Sequence, residues 1–285
     1  MRTTFALLAL LCPTLAAAGS GCGDNLTLPP ERAPATGQDS PEIQCVPDLD
    51  GKIERDELAA AIGVPIHYVV SPPGVDRPVD LKGTQDGDGK TVWNFSVDYA
   101  DDQSLVLTPS TPKKTWFEDY FADEEAAFVT PFDPAGTVLS VGVLKDDGLY
   151  LLGIVSAEEE PEDGQTRLIY TEPVLVLALP VEVGESHVSV GELRNAVAFG
   201  LPYAGEDTYE VAVDAIGAAD LPQLSFDQVL RVTTKVTVSP TVGTSASRRQ
   251  VSFYAECFAE VARASADGDE DPLFGTATEL RRLGL

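Results

Sequence analysis

The sequence predicts a mainly β protein, an antiparallel sandwich or partly open barrel with one or two short helices, and three observations point there. Short runs rich in Val, Ile, Thr and aromatic residues recur from residue 64 to the C-terminus, separated by turn signals at roughly 8–12-residue intervals. No periodic segment between them is long enough for a crossover helix, so neighbouring strands are expected to be antiparallel. The composition, 44% hydrophobic with 24 Gly and 21 Pro in 285 residues, fits a folded, turn-rich chain.

The candidate strands are 64–70, 75–81, 91–97, 105–108, 127–130, 137–145 and 149–157, followed by 168–179, 188–193, 208–216, 228–239, 249–263 and 276–283. Alternation is clearest in the second half, where Leu230, Val232, Thr234, Val236 and Val238 share one face and Val229, Arg231, Thr233, Lys235 and Thr237 the other. One side of that strand is expected to pack and the other to be wet. Val174 to Leu179 is apolar throughout, as a central strand covered on both faces would be. Asp147-Gly148 reads as the turn of a hairpin. Gly83 to Thr91 nearly matches a phosphate-binding loop, but the first Gly is misplaced and a strand pattern follows where that motif needs a helix, so an Asp-Gly hairpin turn is expected. Trp116, Phe117, Tyr120 and Phe121 fall at i, i+1, i+4 and i+5, which puts four rings along one side of a short helix packed on the sheet.

The leader fixes the expected compartment. Met1-Arg2, the apolar run Phe5 to Leu11 and the small residues Ala16-Ala17-Ala18 form an export signal too short to span a bilayer. Gly19-Ser20-Gly21-Cys22 resembles the lipobox of bacterial lipoproteins, with Gly19 where that motif usually has Leu. The resemblance implies removal of residues 1–21 and acylation of Cys22 (a palmitate-bearing, lipid-anchored protein). Gly23 follows the cysteine, where the enteric sorting rule needs Asp for retention at the inner membrane, so the outer membrane is expected. Residues 22–44, with Pro29-Pro30, Pro34 and Pro41, read as a Pro-rich tether, and 45–285 as the β-rich globular domain, with a subdivision point near residue 181.

With Cys12 in the leader and Cys22 acylated, Cys45 and Cys257 remain as one pair in an oxidising compartment, and a disulfide between them is expected. Val251, Phe253, Ala255, Cys257, Ala259 and Val261 alternate onto one apolar face of the 249–263 strand, which would point the Cys257 sulfur inward.

Cys45 opens a stretch resembling an EF-hand loop, with Asp48 and Asp50 at positions 3 and 5, Gly51 at 6, Ile53 at 8 and Glu57 at 12. Val46 stands at position 1, which normally supplies an Asp. The candidate ligands for calcium are therefore Asp48, Asp50 and Glu57, weighed against a turn whose Asp residues cap the short helix 54–62.

Charge and motif content narrow the function. The chain carries 19 Lys and Arg against 46 Asp and Glu, a net charge of −27, and losing Arg2 with the leader leaves 18 − 46 = −28. Such a balance repels nucleic acid and anionic lipid heads. The two histidines, His67 and His187, accompany no Gly-x-Ser-x-Gly elbow and no zinc-ligand spacing, so no catalytic residue is assigned.

Cys45-Val46-Pro47-Asp48-Leu49-Asp50-Gly51, Gly200 to Gly205 with Thr208-Tyr209-Glu210-Val211, Arg248 to Phe253 and Glu256-Cys257-Phe258 together resemble an uncharacterised group of lipoproteins from myxobacteria. That resemblance implies location and architecture, not activity. The stretch from Val181 also resembles curved-sheet domains of envelope lipoproteins that wrap apolar ligands. The expectation is an acidic, non-enzymatic cell-envelope lipoprotein, tied to the membrane by its lipid, whose β domain binds a protein or apolar ligand. The alternative is a secreted hydrolase with a carboxylate site.

Overall fold

The computed structural model describes residues 45–62, 64–268 and 271–284. Cys22, the leader and the tether lie outside them. These described residues form one compact unit, mainly β, organised on a single 14-stranded sheet.

In chain order the first strands are short: β1 (Lys52–Ile53), β2 (Ile66–Val70), β3 (Arg77–Pro78), β4 (Thr84–Gln85), β5 (Thr91–Asn94), β6 (Gln103–Leu107) and β7 (Phe128–Pro131). Helix α1 (Arg55–Ala61) follows β1, and a 3-10 turn, Glu118–Phe121, precedes β7. Longer strands follow: β8 (Val138–Lys145), β9 (Gly148–Ser156), β10 (Arg167–Ala178), β11 (Val181–Glu182), β12 (Ser186–Ala198), β13 (Leu201–Asp220), β14 (Ser225–Pro240), β15 (Ala246–Ala255), β16 (Ala259–Asp267), β17 (Thr276–Ala277) and β18 (Glu279–Leu283).

The main sheet runs β6-β2-β18-β16-β15-β14-β13-β12-β10-β9-β8-β7, and β1-β11 and β17-β3 form two small ladders beside it. Pairing along this order is antiparallel; the exception is β5, which carries β4 on its other edge and lies parallel to the end of β13. Ser110 and Val129 exchange backbone hydrogen bonds of 3.0 and 2.7 Å, which brings the segment after β6, one end of the strand order, onto β7, the other end. This is a nearly closed, barrel-like arrangement of antiparallel strands with very little helix, as the turn spacing predicts. β10 and β12, on either side of residue 181, belong to the same sheet.

Both faces of the central strands are covered. Leu230 and Val232 face a core with Tyr170, Val174, Leu193 and Val211, whereas Val229 faces one with Trp93, Phe95, Val251 and Phe253. The expectation of a wet side therefore fails for the first half of β14. Arg231, on that face, is buried because its Nε donates to Asp214 at 2.7 Å, its Nη1 donates to the Leu81 carbonyl at 2.5 Å and its guanidinium lies 5.4 Å from the Trp93 ring centroid. A third core, with Phe117, Phe121, Val129, Val141 and Val155, forms beneath the 3-10 turn. Two of the four rings read along that segment are buried, Trp116 Nε1 donates to the Ser156 carbonyl at 3.0 Å, and Tyr120 is exposed. β18 is secured by buried cations: Arg282 pairs with Asp102 and donates to the carbonyls of Phe95 and Val97, and Arg77 pairs with Asp101 and Asp102.

Four expected elements differ, the first being 276–283, which divides into β17, paired with β3, and β18 in the main sheet. The 249–263 strand is a hairpin, β15 and β16, turning at Glu256-Cys257-Phe258 with Cys257 at φ +65° and Ala259 at φ +56°. The β8–β9 turn is Asp146-Asp147, because Lys145 pairs with Gly148. Of 75–81 only Arg77–Pro78 pairs as strand, since Pro72-Pro73 and Pro78 leave few free N–H groups there. The Gly83–Thr91 stretch is the expected hairpin turn, with Asp86 Oδ1 accepting from the Asp88 and Lys90 N–H groups.

Candidate functional site

The described residues begin at Cys45, and Cys45 is bonded to Cys257, their Cα atoms 5.7 Å apart. The pairing read from compartment and number is present. Its placement differs: Cys257 lies in the β15–β16 turn, so the inward-facing strand position expected for it does not exist.

This bond holds the EF-like stretch against the turn, and the turn supplies a carboxylate that the spacing does not reveal. Asp48, Glu57 and Glu256 offer oxygens that all lie within 4.8 Å of one another. Asp50 is not one of the three. Its Oδ1 accepts from the Lys52 N–H at 3.0 Å and its other oxygen lies 3.7 Å from Lys52 Nζ. Position 46 is an exposed Val and contributes no ligand side chain. Glu57 closes a capping box on α1, its Oε2 accepting from the Glu54 N–H at 2.8 Å, so the helix is capped by glutamates and not by the Asp residues expected to do so; Asp48 and Asp50 accept from the Asp50 and Lys52 N–H groups within the turn instead. Glu256 is 4% exposed; Oε2 accepts from the Leu49 N–H and Oε1 from Gln228 Nε2, both at 2.9 Å. Burial, with Glu256, Asp48 and Asp50 adding negative charge nearby, holds the Glu57 carboxyl above its ordinary pKa. Each carboxylate oxygen has a second lone pair, so the trio is a hard-oxygen donor set of the kind calcium takes.

The sheet carries a second feature, a groove of ≈ 580 Å³ across β12, β13, β14 and β15, walled by Pro272. Strand register builds its floor. Val188 pairs with Glu210, Glu210 with Lys235 and Lys235 with Arg249, so one rung across four strands carries an apolar side chain, an acid and two cations. Ser186, Ala212 and Thr233 form the next rung and keep the floor small. Glu210, directly opposite Lys235, offsets the two adjacent cations. His187, beside it, places Nε2 3.3 Å from the Leu175 carbonyl, and His67 stands exposed on β2.

A third group, buried and unforeseen, lies on β13. Tyr203, Gly205, Asp207 and Tyr209 occupy alternate positions and so share a face. Tyr170 Oη donates to Asp207 Oδ2 at 2.6 Å and therefore accepts from Tyr209 Oη at 3.0 Å. Tyr170 fits because Gly191 is opposite Asp207; a Cβ there would lie 2.5 Å from the Tyr170 ring. Asp207 is 4% exposed, and Asp207 Oδ1 and Tyr203 Oη are buried without a hydrogen-bond partner among the described residues. Burial raises the Asp207 carboxyl above its ordinary pKa, against the lowering effect of the Tyr170 hydroxyl.

No family model, curated protein or solved structure matches the chain. No described helix is long and apolar enough to cross a membrane.

Proposed function

We propose that the chain is an acidic, non-enzymatic cell-envelope lipoprotein, anchored to the outer membrane through acylated Cys22, whose β domain binds a small ligand in the β12–β15 groove. The observation that carries the binding role is the groove itself: an open face in which an acid and two cations are aligned beside small residues, in a chain where cations are scarce. Glu210 is the one carboxylate among the groove's described lining residues. The anchor rests on the leader and on the lipobox resemblance, and the disulfide accords with an oxidising compartment.

Two measurements test this reading. Mass spectrometry of the membrane fraction should find a diacylglyceryl Cys22 as the first residue; a mature chain starting at Gly19 and free in the medium overturns the anchor. Native mass spectrometry of protein released gently from its own envelope should show a bound small molecule that is absent from Thr233→Trp, whose indole fills the groove. A wild-type protein with no bound mass, or the same bound mass in a folded Thr233→Trp, overturns the groove as the binding site.

A further inference from the structure

The molecule presents apolar side chains at the end of the sheet remote from the disulfide. The β12–β13 turn is Phe199-Gly200, closed by the Ala198–Leu201 pair, with φ of +49° and +75°. A two-residue turn with both φ positive favours Asn-Gly, and a bulky aromatic at its first position is disfavoured. Phe199 occupies that position and is 70% exposed, so its ring gains no core burial in return. Leu201 beside it is 68% exposed, and Val242 in the β14–β15 turn is 91% exposed. The Thr241 N–H donates to the Ala204 carbonyl at 2.8 Å, so the two turns meet β13 three residues apart, about 10 Å along the strand.

These tips are braced. The Gly200 N–H donates to the Gln165 carbonyl at 2.8 Å, and Gly164 packs so closely that a Cβ on it would lie 2.6 Å from the Phe199 carbonyl carbon. The brace belongs to the β9–β10 connection, which carries Glu158, Glu159, Glu160, Glu162 and Asp163, all exposed. Gln165 Nε2 donates to the Glu159 carbonyl at 3.0 Å, tying the acids to the tip. The disulfide lies at the far end of β15, ten residues and about 30 Å away.

We infer that Phe199, Leu201 and Val242 form a docking site for a protein surface that is apolar at its centre and rimmed by Lys and Arg. Rigid, exposed rings and aliphatics are the anchors that interfaces bury, and an acidic rim selects a basic one. The same acids oppose an anionic membrane, and they oppose a second copy of a chain of net charge −27. None of the three residues lines the groove, so this site stands apart from the ligand site.

The probe is a short synthetic peptide with a Leu-Trp centre flanked by Lys, titrated by fluorescence polarisation against the folded, disulfide-bonded domain. Wild-type protein should bind it with strong salt dependence. Phe199→Asn combined with Val242→Thr should weaken binding about tenfold or more, the scale on which interface anchors act. Glu159→Lys with Glu160→Lys should weaken it and flatten the salt dependence. Phe199→Asn alone should melt about 2 °C higher, because Asn suits the turn, which separates lost binding from lost folding. No binding to wild type, unchanged binding by the tip variant, tip-dependent binding to phosphatidylcholine vesicles, or tip-dependent self-association in sedimentation would each overturn the proposal.

Discussion

Asp207 is a carboxyl that folding encloses before it can be fully satisfied. One oxygen has the Tyr170 hydroxyl, the other has no donor among the described residues, and burial holds its pKa above the ordinary carboxyl value. A carboxyl raised in the folded state favours folding below its unfolded pKa, near 4, and that contribution is lost as pH climbs through the folded value. Asp207→Asn, which keeps an acceptor for Tyr170 and cannot ionise, should therefore melt about 2–5 °C higher than wild type at pH 8. The gap should close as pH falls toward 4, as thermal melts across that range would show. The acidic trio makes a second prediction at this scale. Millimolar calcium should raise the melting temperature of wild type, with a dissociation constant of about 10⁻⁴ to 10⁻³ M by calorimetry, as expected of a site lacking the ligand of loop position 1. Glu57→Gln should abolish the response and Asp50→Asn should leave it, since Asp50 is engaged by Lys52. No heat in wild type leaves Glu57 as a helix cap and Asp48 as a turn acceptor only.

Among elements, apolar and β-branched runs bounded by turn signals made β8, β9, β10 and β14 legible nearly to their ends, because both faces of these strands pack in the cores. That signal failed where polar residues sit inside strands. Pro202, Glu206 and Asp207 hide the first half of β13, whose full span is Leu201–Asp220. It failed again at the β15–β16 turn, where Cys257 and Ala259 adopt left-handed φ with no Gly, Asn or Pro to announce it. The candidate metal group was half legible for the same reason: Asp48 and Glu57 are local, whereas Glu256 reaches Leu49 across 207 positions of sequence. Gly148 shows how a correct signal can carry a wrong cause. It reads as a turn residue, yet the turn ends before it, and a Cβ there would lie 2.3 Å from Leu175 Cδ1 and 2.7 Å from the Leu177 carbonyl on β10. Gly148→Ala should destabilise the domain by about 1–3 kcal/mol through overpacking, measured by urea denaturation. A neutral effect would mean that β10 yields freely.

For the whole molecule, the Cys45–Cys257 bond closes a loop of 212 residues around most of the sheet. In the chain-entropy account such a closure stabilises the fold by about 5 kcal/mol, so Cys45→Ser with Cys257→Ser should lose stability on that scale in chemical denaturation. It should also loosen the acidic trio, because Asp48 and Glu57 meet Glu256 through the same junction.

That ring has a mechanical meaning. A pull applied between the tether and the C-terminus enters at Cys45, crosses the sulfur bridge and bypasses every strand from β1 to β15. Only residues 258–285 can be drawn out, a gain of at most about 90–100 Å of contour length. β16, β17 and β18 thus carry the tension while the larger part of the sheet remains unloaded. In a single-molecule stretch the oxidised chain should lengthen by that short step alone, and the reduced chain by the contour of the whole domain.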